Sequence, residues 1–371
     1  MSSLHASKGV LATVADPRQT IDRLGFRPAA LVAWWSRQDG HGVGSGNRGG
    51  IGFWTSEHCA AVAWASEDGT PDARTAHAAE PVAILGLAGA SGEVAMRAQV
   101  EFGPDGVTLT WTPPPMEPWL VHFLALGGAS IRSAQVGWAP SAPAAGGADL
   151  VLVAPAGGAT IGIGAGDGRR RAAAGYSVAP GSAPGAVSGA QRTDASIVDL
   201  GRPVRRACYL ALAGVRAKVG ADVSPTRPGP RQTRVGFRPE ALLLFSWGLA
   251  ASRRPRGIGR LCLGGAAGPE SGCVGWDDRN ATAEVTATHV RSSGDDVLVV
   301  ADTRTGGIHA RAKLTGADDG GFTLDWSAAD VVRRQFAYVA LAESGSVGRV
   351  RRLAGKLLPG QRQRSASSSG T

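Results

Sequence analysis

The sequence predicts an all-β chain of tandem antiparallel β-sandwiches, jelly-roll-like in layout, in three copies with the middle one shortened. Three observations carry this reading: a motif that occurs twice, an alternating hairpin that follows it both times, and turn residues spread between short apolar runs. GFRPAALVAWWS at 25–36 returns as GFRPEALLLFSW at 236–247, and PRQT precedes each, at 17–20 and 230–233. An echo of this length points to internal duplication. Gly-Phe-Arg-Pro before an apolar run reads as a turn feeding a buried strand. Pro28 and Pro239 fix φ at the strand entrance, where a missing N–H costs no ladder bond. The runs ALVAWW and ALLLFSW are apolar on both alternating faces, as in a strand covered on each side.

After the first GFRP strand comes a Gly-rich loop, 38–50, then the strand pair IGFWTS and CAAVAWAS, the polar loop 67–81 and the apolar run VAILGLAG. In VAMRAQVEF (94–102), Val94, Met96, Ala98, Val100 and Phe102 alternate with Ala95, Arg97, Gln99 and Glu101. Pro104, Asp105 and Gly106 make a turn, and VTLTW sets Val107, Leu109 and Trp111 against Thr108 and Thr110. That is a hairpin with one buried and one wet face. WLVHFLALGG closes the copy as a last strand.

The final copy repeats this plan. IGRLCLGG answers IGFWTS, and CVGW at 273–276 answers AVAW at 61–64. Ile308, Ala310, Ala312 and Leu314 fall on the inward phase of its hairpin, with His309, Arg311 and Lys313 outward. Between the two lies a worn copy. ADLVLVA at 148–154 takes the place of ALVAWW, AAAGYSVAPG at 172–181 sets Tyr176 opposite Trp64 and Trp276, and CYLALAG at 208–214 closes it. Its central hairpin is missing. The expected divisions are 1–130, 131–220 and 221–345, followed by a basic tail, 346–371, expected to be disordered alone.

Composition narrows the function classes. Gly 54 and Pro 22 make about a fifth of the 371 residues without a collagen period, which favours many turns over helices. Part of the net charge of +9 sits in the tail, in Arg253, Arg254 and Arg256, and in the run 169–171. Solvated loops account for it, and no nucleic-acid-binding motif accompanies it. Cys59, Cys208, Cys262 and Cys273 show no CxxC and no histidine at ligand spacing, so neither a zinc site nor a disulfide framework is expected; Cys262 and Cys273 could still pair. No cofactor is expected. No apolar run reaches membrane-spanning length, and the first residues lack a charged start with an apolar run behind it. Synthesis in the cytoplasm is the expectation.

No nucleophile–base–acid set is evident. His5, His41, His58, His77, His122, His289 and His309 are scattered singly, and His122, in an apolar run, reads as a satisfied core or edge histidine. The glycine strings 42–50 and 157–168 lack the Lys-Ser/Thr ending of a phosphate loop. Binding candidates fall in the polar loops: Asp68, Asp72, Arg74 and His77, then Gln191, Arg192 and Asp194, then Asp277, Asp278 and His289. Loops at one end of a sandwich commonly carry binding; plain solvated loops, or carboxylates holding a cation, are the other readings. The outward hairpin residues Arg97, Gln99, Glu101, His309, Arg311 and Lys313 suit a flat polar assembly face. Of the ten tryptophans, Trp64, Trp276, Trp111 and Trp326 read as core. Adjacent Trp34 and Trp35 must face opposite sides of one strand, so one meets a second layer, a subunit partner or a sugar ring.

The combination of GFxP and an apolar strand, a DG-containing polar loop, a DGFTLxW hairpin and a closing (Y/F)LALGG resembles the tandem β-sandwich repeats of tailed-phage and prophage structural proteins. The matching pieces are 25–28, 68–69, 105–111 and 123–128, and again 236–239, 320–326 and 338–342, so the resemblance spans about 13–343. The strand order is also similar to that of H-type lectin domains. The first resemblance implies a non-enzymatic component of a phage or prophage-like particle, in tail, baseplate or head decoration, whose partners are itself or other particle proteins. The second implies a carbohydrate-binding adhesion module that meets cell-surface glycan.

Overall fold

A computed structural model describes residues 3–69, 75–139, 147–156, 160–177, 185–189, 206–250, 258–279, 287–301 and 307–344, and the regular structure of these residues is all strand. The chain begins with β1 (His5–Ala12), β2 (Arg18–Ile21), β3 (Pro28–Ser36), β4 (Gly42–Ser45), β5 (Asn47–Thr55) and β6 (Cys59–Ser66). It continues with β7 (Thr75–Glu80), β8 (Ile84–Leu87), β9 (Val94–Phe102), β10 (Val107–Trp111) and β11 (Leu120–Gly127). The middle stretch supplies β12 (Ser133–Ala139), β13 (Leu150–Pro155), β14 (Thr160–Gly166), β15 (Arg171–Ser177), β16 (Gly185–Gly189) and β17 (Ala207–Ala213). Then come β18 (Val215–Val223), β19 (Gly229–Arg234), β20 (Ala241–Ala250), β21 (Ile258–Ala267) and β22 (Glu270–Arg279). The last strands are β23 (Ala287–Ser293), β24 (Leu298–Ala301), β25 (Ile308–Asp318), β26 (Gly321–Ala328) and β27 (Arg334–Glu343).

One strand order occurs three times. It reads β1-β11-β3-β5-β6-β7 in the first large sheet, β12-β17-β13-β14-β15-β16 in the middle one, and β18-β27-β20-β21-β22-β23 in the third. The third sheet is lengthened by β4, which crosses from the first and pairs with β23. A four-stranded layer, β2-β10-β9-β8, covers the outer face of the first sheet, and β19-β26-β25-β24 covers that of the third. β18, from a stretch expected to end the middle copy, belongs to the third sheet.

Register makes the correspondence exact to the residue in the large sheets. Trp34 faces Ile51, which faces Val62; Phe245 faces Leu263, which faces Val274. Trp64 and Trp276 therefore occupy the same place, two residues on, and by the same count so does Tyr176 on β15. Trp111 faces Ala98 and Trp326 faces Ala312 in the outer hairpins. Ile308, expected inward, is 36% exposed at the start of β25.

The repeated motif has a physical reason. Gly25 and Gly236 have φ of 77° and 88°, a left-handed conformation that favours glycine. Beside them, Leu24 N donates to Asp105 O and Val235 N to Gly320 O, at 3.2 and 2.8 Å. The turn of each outer hairpin thus docks on the GFRP turn, tying the two layers together.

The inner faces of the three large sheets share one apolar core, including Trp34, Trp64, Leu152, Ile163, Phe245 and Trp276. β5 and β6 pack on β12 and β17; β15 packs on β18, β20, β21 and β27; β21 and β22 pack on β1 and β11. The first and third sheets thus offer the same two strands to the same edge of the next, the middle sheet meets the third through β15, and the third returns to the first. This is head-to-tail packing that closes, as in a ring of three subunits, but within one chain. Large rings seat on bare backbone across the first–third contact. Trp276 lies over Gly49, and a Cβ on Gly265 would stand 2.7 Å from the Trp34 ring.

Candidate functional site

The polar residues predicted in loops divide between the two faces of β22. On its inner face, Asp278 is fully buried, and its Oδ2 accepts from Ser66 Oγ at 3.2 Å. Nearby, Asp68 Oδ1 accepts from Thr288 N at 3.0 Å, and Gly46 N donates to Thr288 O. Asp68 and Asp278 thus join the first sheet to the third. On the opposite face, Asp277 meets His289, its cross-strand neighbour on β23, with Oδ1 3.3 Å from Nδ1. His77 is separate: it lies across from Trp64 and lines a small cavity toward the middle sheet with Thr160 and Arg206. Asp72, Arg74, Gln191, Arg192 and Asp194 lie outside the described residues.

The Asp277 face opens into a small cavity of about 20 Å³, room for about one water, between the third sheet and β24. Its polar walls are Ser246, Arg260, Asp277, His289 and Arg291; Val299 belongs to the apolar side. Arg260, Asp277 and His289 form one row across β21, β22 and β23, with Gly275 and Arg291 in the next. Directly opposed residues on one face of a sheet are close enough to interact. Asp277 is 2% exposed, and its Oδ2 has no hydrogen-bond partner among the described residues. The Asp277 carboxylate holds the His289 pKa above its ordinary value against the opposing effect of burial, and Asp68 adds to the rise.

This cavity exists because the third sheet departs from the first. At the place of Ser246 the first sheet has Trp35, whose ring lies over Gly50 and whose Nε1 donates to Leu85 O at 2.9 Å. By register, Asp277, His289 and Arg291 stand where the first sheet has Ala65, Ala76 and Ala78. Four apolar positions thus become polar and converge. Ser246 against Trp35 and Asp277 against Ala65 are visible when the motifs are aligned; the loops before β7 and β23 hide the other two.

A second polar cluster lies between the first and third sheets. Lys8 Nζ is 3.1 Å from His122 Nδ1, His122 Nε2 is 2.9 Å from Ser292 Oγ, and the exposed His41 reaches the same hydroxyl through Nδ1 at 2.9 Å. His122 is stacked on Trp34 and fully buried, as a satisfied core histidine. Lys8 and Ser292 were not legible as members of any site.

The expected assembly faces are laced with internal ion pairs. Arg97 forks onto Glu80 at 2.6 and 2.8 Å, Arg311 meets Asp296 at 2.8 Å, Lys313 meets Asp295 at 3.0 Å, and His309 meets Asp330 at 3.2 Å. Gln99 and Glu101 are exposed, Glu101 pairing with Arg18. Every tryptophan except Trp138 is buried, Trp35 against the outer layer and Trp34 against the third sheet. Trp138 carries Arg206 over its ring at 4.3 Å. The four cysteines are free thiols.

The histidines give opposite pH responses. His77 Nε2 is buried without a partner among the described residues, and burial lowers its pKa from 6.5 to about 4. The unfolded chain therefore binds the extra proton first, and stability falls as pH drops from 6.5 toward 4. His289, with its raised pKa, contributes stability that is full below 6.5 and lost as pH rises through its folded value. Urea midpoints across this range should show His77→Phe flattening the acid limb and Asp277→Asn removing the His289 contribution. An acid limb unchanged by His77→Phe would count against the first assignment.

Among the described residues, no helix is long and apolar enough to cross a membrane, and no group of three or more His, Cys, Asp and Glu could hold a metal ion. No protein-family model, curated protein or solved structure matches this chain.

Proposed function

We propose that the chain works by contact rather than catalysis, as a rigid assembly component of a phage or prophage-like particle that presents its two outer sheets to partners. The observation that carries this is the closed head-to-tail packing of three sheets in one chain. Closure uses the inner faces internally and leaves the two outer layers as a related pair of charged surfaces. Two related surfaces on one chain allow weak contacts to add.

The polar clusters fit the same reading. Asp68 and Asp278 are spent on joining sheets. Ser292 has two histidine neighbours, but His122 faces an ammonium through its other nitrogen, where a hydrolytic serine needs a carboxylate to balance the imidazolium. His122 is also fully buried, out of reach of substrate.

Light scattering and mass photometry on the purified protein, alone and with proteins encoded beside it, test this. The expected result is a defined oligomer or a stable complex that dissociates on charge reversal at Glu101 and Lys313. A strict monomer that binds none of those partners would sink it.

A further inference from the structure

We propose that the cavity at His77, in the seam between the first and middle sheets, binds a small neutral molecule with an apolar body and one hydroxyl group, phenol being the simplest aromatic member of the class. The cavity holds about 120 Å³, and Val62, Trp64, Ala79, Pro155 and Ile161 give it apolar walls. An apolar cavity of roughly 150 Å³ takes up a benzene ring, so this space is of the right order for a single ring.

One polar group sets what that body must carry. His77 Nε2 is buried and has no hydrogen-bond partner among the described residues. The other polar side chains around the cavity are engaged. Trp64 Nε1 donates to Asn47 Oδ1 at 3.0 Å, Arg206 lies over the Trp138 ring at 4.3 Å, and Thr160 has a partner of its own. A neutral imidazole presents either a donor or an acceptor at Nε2, and a hydroxyl answers both, because it donates one hydrogen bond and accepts others. Supplying that partner recovers the free energy lost when a buried polar group stays unpaired. A charged ligand would trade its hydration for apolar walls and a neutral imidazole, so the class is neutral.

The comparison within the chain supports a built site. His77 faces Trp64 across β6 and β7, and the same place holds Ala186 opposite Tyr176 and Val290 opposite Trp276. Histidine thus stands where the other two sheets are apolar. Beside Val290 the space is taken by β4: Gly44 pairs with Val290, and a Cβ on Gly44 would stand 3.2 Å from Val290 Cγ1. β4 comes from the connection 37–46 between β3 and β5, whereas the matching connection between β13 and β14, 156–159, is too short to supply such a strand. Among the described residues no strand pairs with the far edge of β7. A polar group and open space therefore coincide where the third sheet has neither.

Isothermal titration of the full chain with phenol and with toluene at pH 7 tests the proposal, because the two have nearly the same shape and only phenol has a hydroxyl. His77, whose pKa burial lowers to about 4, is neutral there. Phenol is expected to bind at least as tightly as toluene, although it is the better hydrated of the two. His77→Leu should swing the preference toward toluene by about tenfold, the loss expected for one hydrogen bond to a buried group. Leucine should be tolerated, since valine fills the same place in the third sheet. Ala79→Leu, two positions along the same face of β7, keeps the imidazole but takes up room, and should weaken both ligands. In the unaltered protein the His77 ring-nitrogen resonances should shift with phenol at the calorimetric midpoint. A cavity that holds water only, seen as no phenol binding at millimolar concentration, would overturn the proposal. So would a preference unchanged by His77→Leu, a phenol affinity untouched by Ala79→Leu, or a His77 resonance that ignores phenol.

Discussion

Trp276→Ala and Trp64→Ala should each lower the unfolding free energy by about 3–5 kcal/mol, the usual cost of emptying a large aromatic site in a packed core. The two rings meet edge to face, with centroids 5.1 Å apart and planes at 74°, and both are 1% exposed. Trp276 also lies over Gly49, where no side chain can follow to fill the gap. The site cannot collapse without moving one sheet against another, which places the cost toward the upper end. Because the rings touch, the double variant should lose less than the two single losses together, by about 0.5–1.5 kcal/mol. Urea unfolding of the four proteins in this cycle measures both quantities. Strict additivity, or single losses under about 1 kcal/mol, would mean that this contact does not hold the first sheet to the third.

Lys8→Met should make the protein more stable at pH 7. In the register of the three large sheets Lys8 stands where the others have Val136 and Val219, facing the shared core at 3% exposure. Burial lowers its pKa from 10.5 to about 8, opposed in part by Cys273 and Glu270. The folded state therefore keeps a costly charge below pH 8 and sheds it above. Between 8 and 10.5 the unfolded chain binds more protons, so stability rises with pH through that window. A shift of this size corresponds to roughly 3 kcal/mol, reduced in the variant by the lost contact with His122 Nδ1. A gain of about 1–3 kcal/mol at pH 7 and a flatter alkaline limb are expected from Lys8→Met. A variant less stable at pH 7 with the alkaline rise intact would show that the ammonium is well served where it lies.

Strand positions and the phase of each outer hairpin could be read from the residues because strand physics is local. Alternation in 94–102 and 107–111 placed Arg97, Gln99 and Glu101 on the wet face, and Met96 and Ala98 on the buried one. The GFRP echo fixed where the chain enters each central strand, since glycine and proline set backbone angles wherever they stand. The correspondence of Trp64, Tyr176 and Trp276 also followed from counting residues along matched strands.

Which strand faces which sheet was not local. Trp34 and Trp35 differ by one position, yet one serves the contact with the third sheet and the other the sandwich interior, and both stretches are equally apolar in the sequence. Asp277 and Asp278 looked like one acidic pair in a loop. The strand pleat sends one into a cavity with His289 and the other to Ser66 of the first sheet. Lys8, His122 and Ser292 come together only because the first and third sheets abut, joining groups separated by 114 and 170 positions. The sequence by itself determined the central strands, the phase of the outer hairpins and the recurrence of the motif, but read β4, β7 and β23 as loops. Only the tertiary structure decided the closed packing, the polar joints and the Asp277 cavity, because these arise from surfaces meeting across long stretches of chain, where the periodicity of each strand carries no information about its partner.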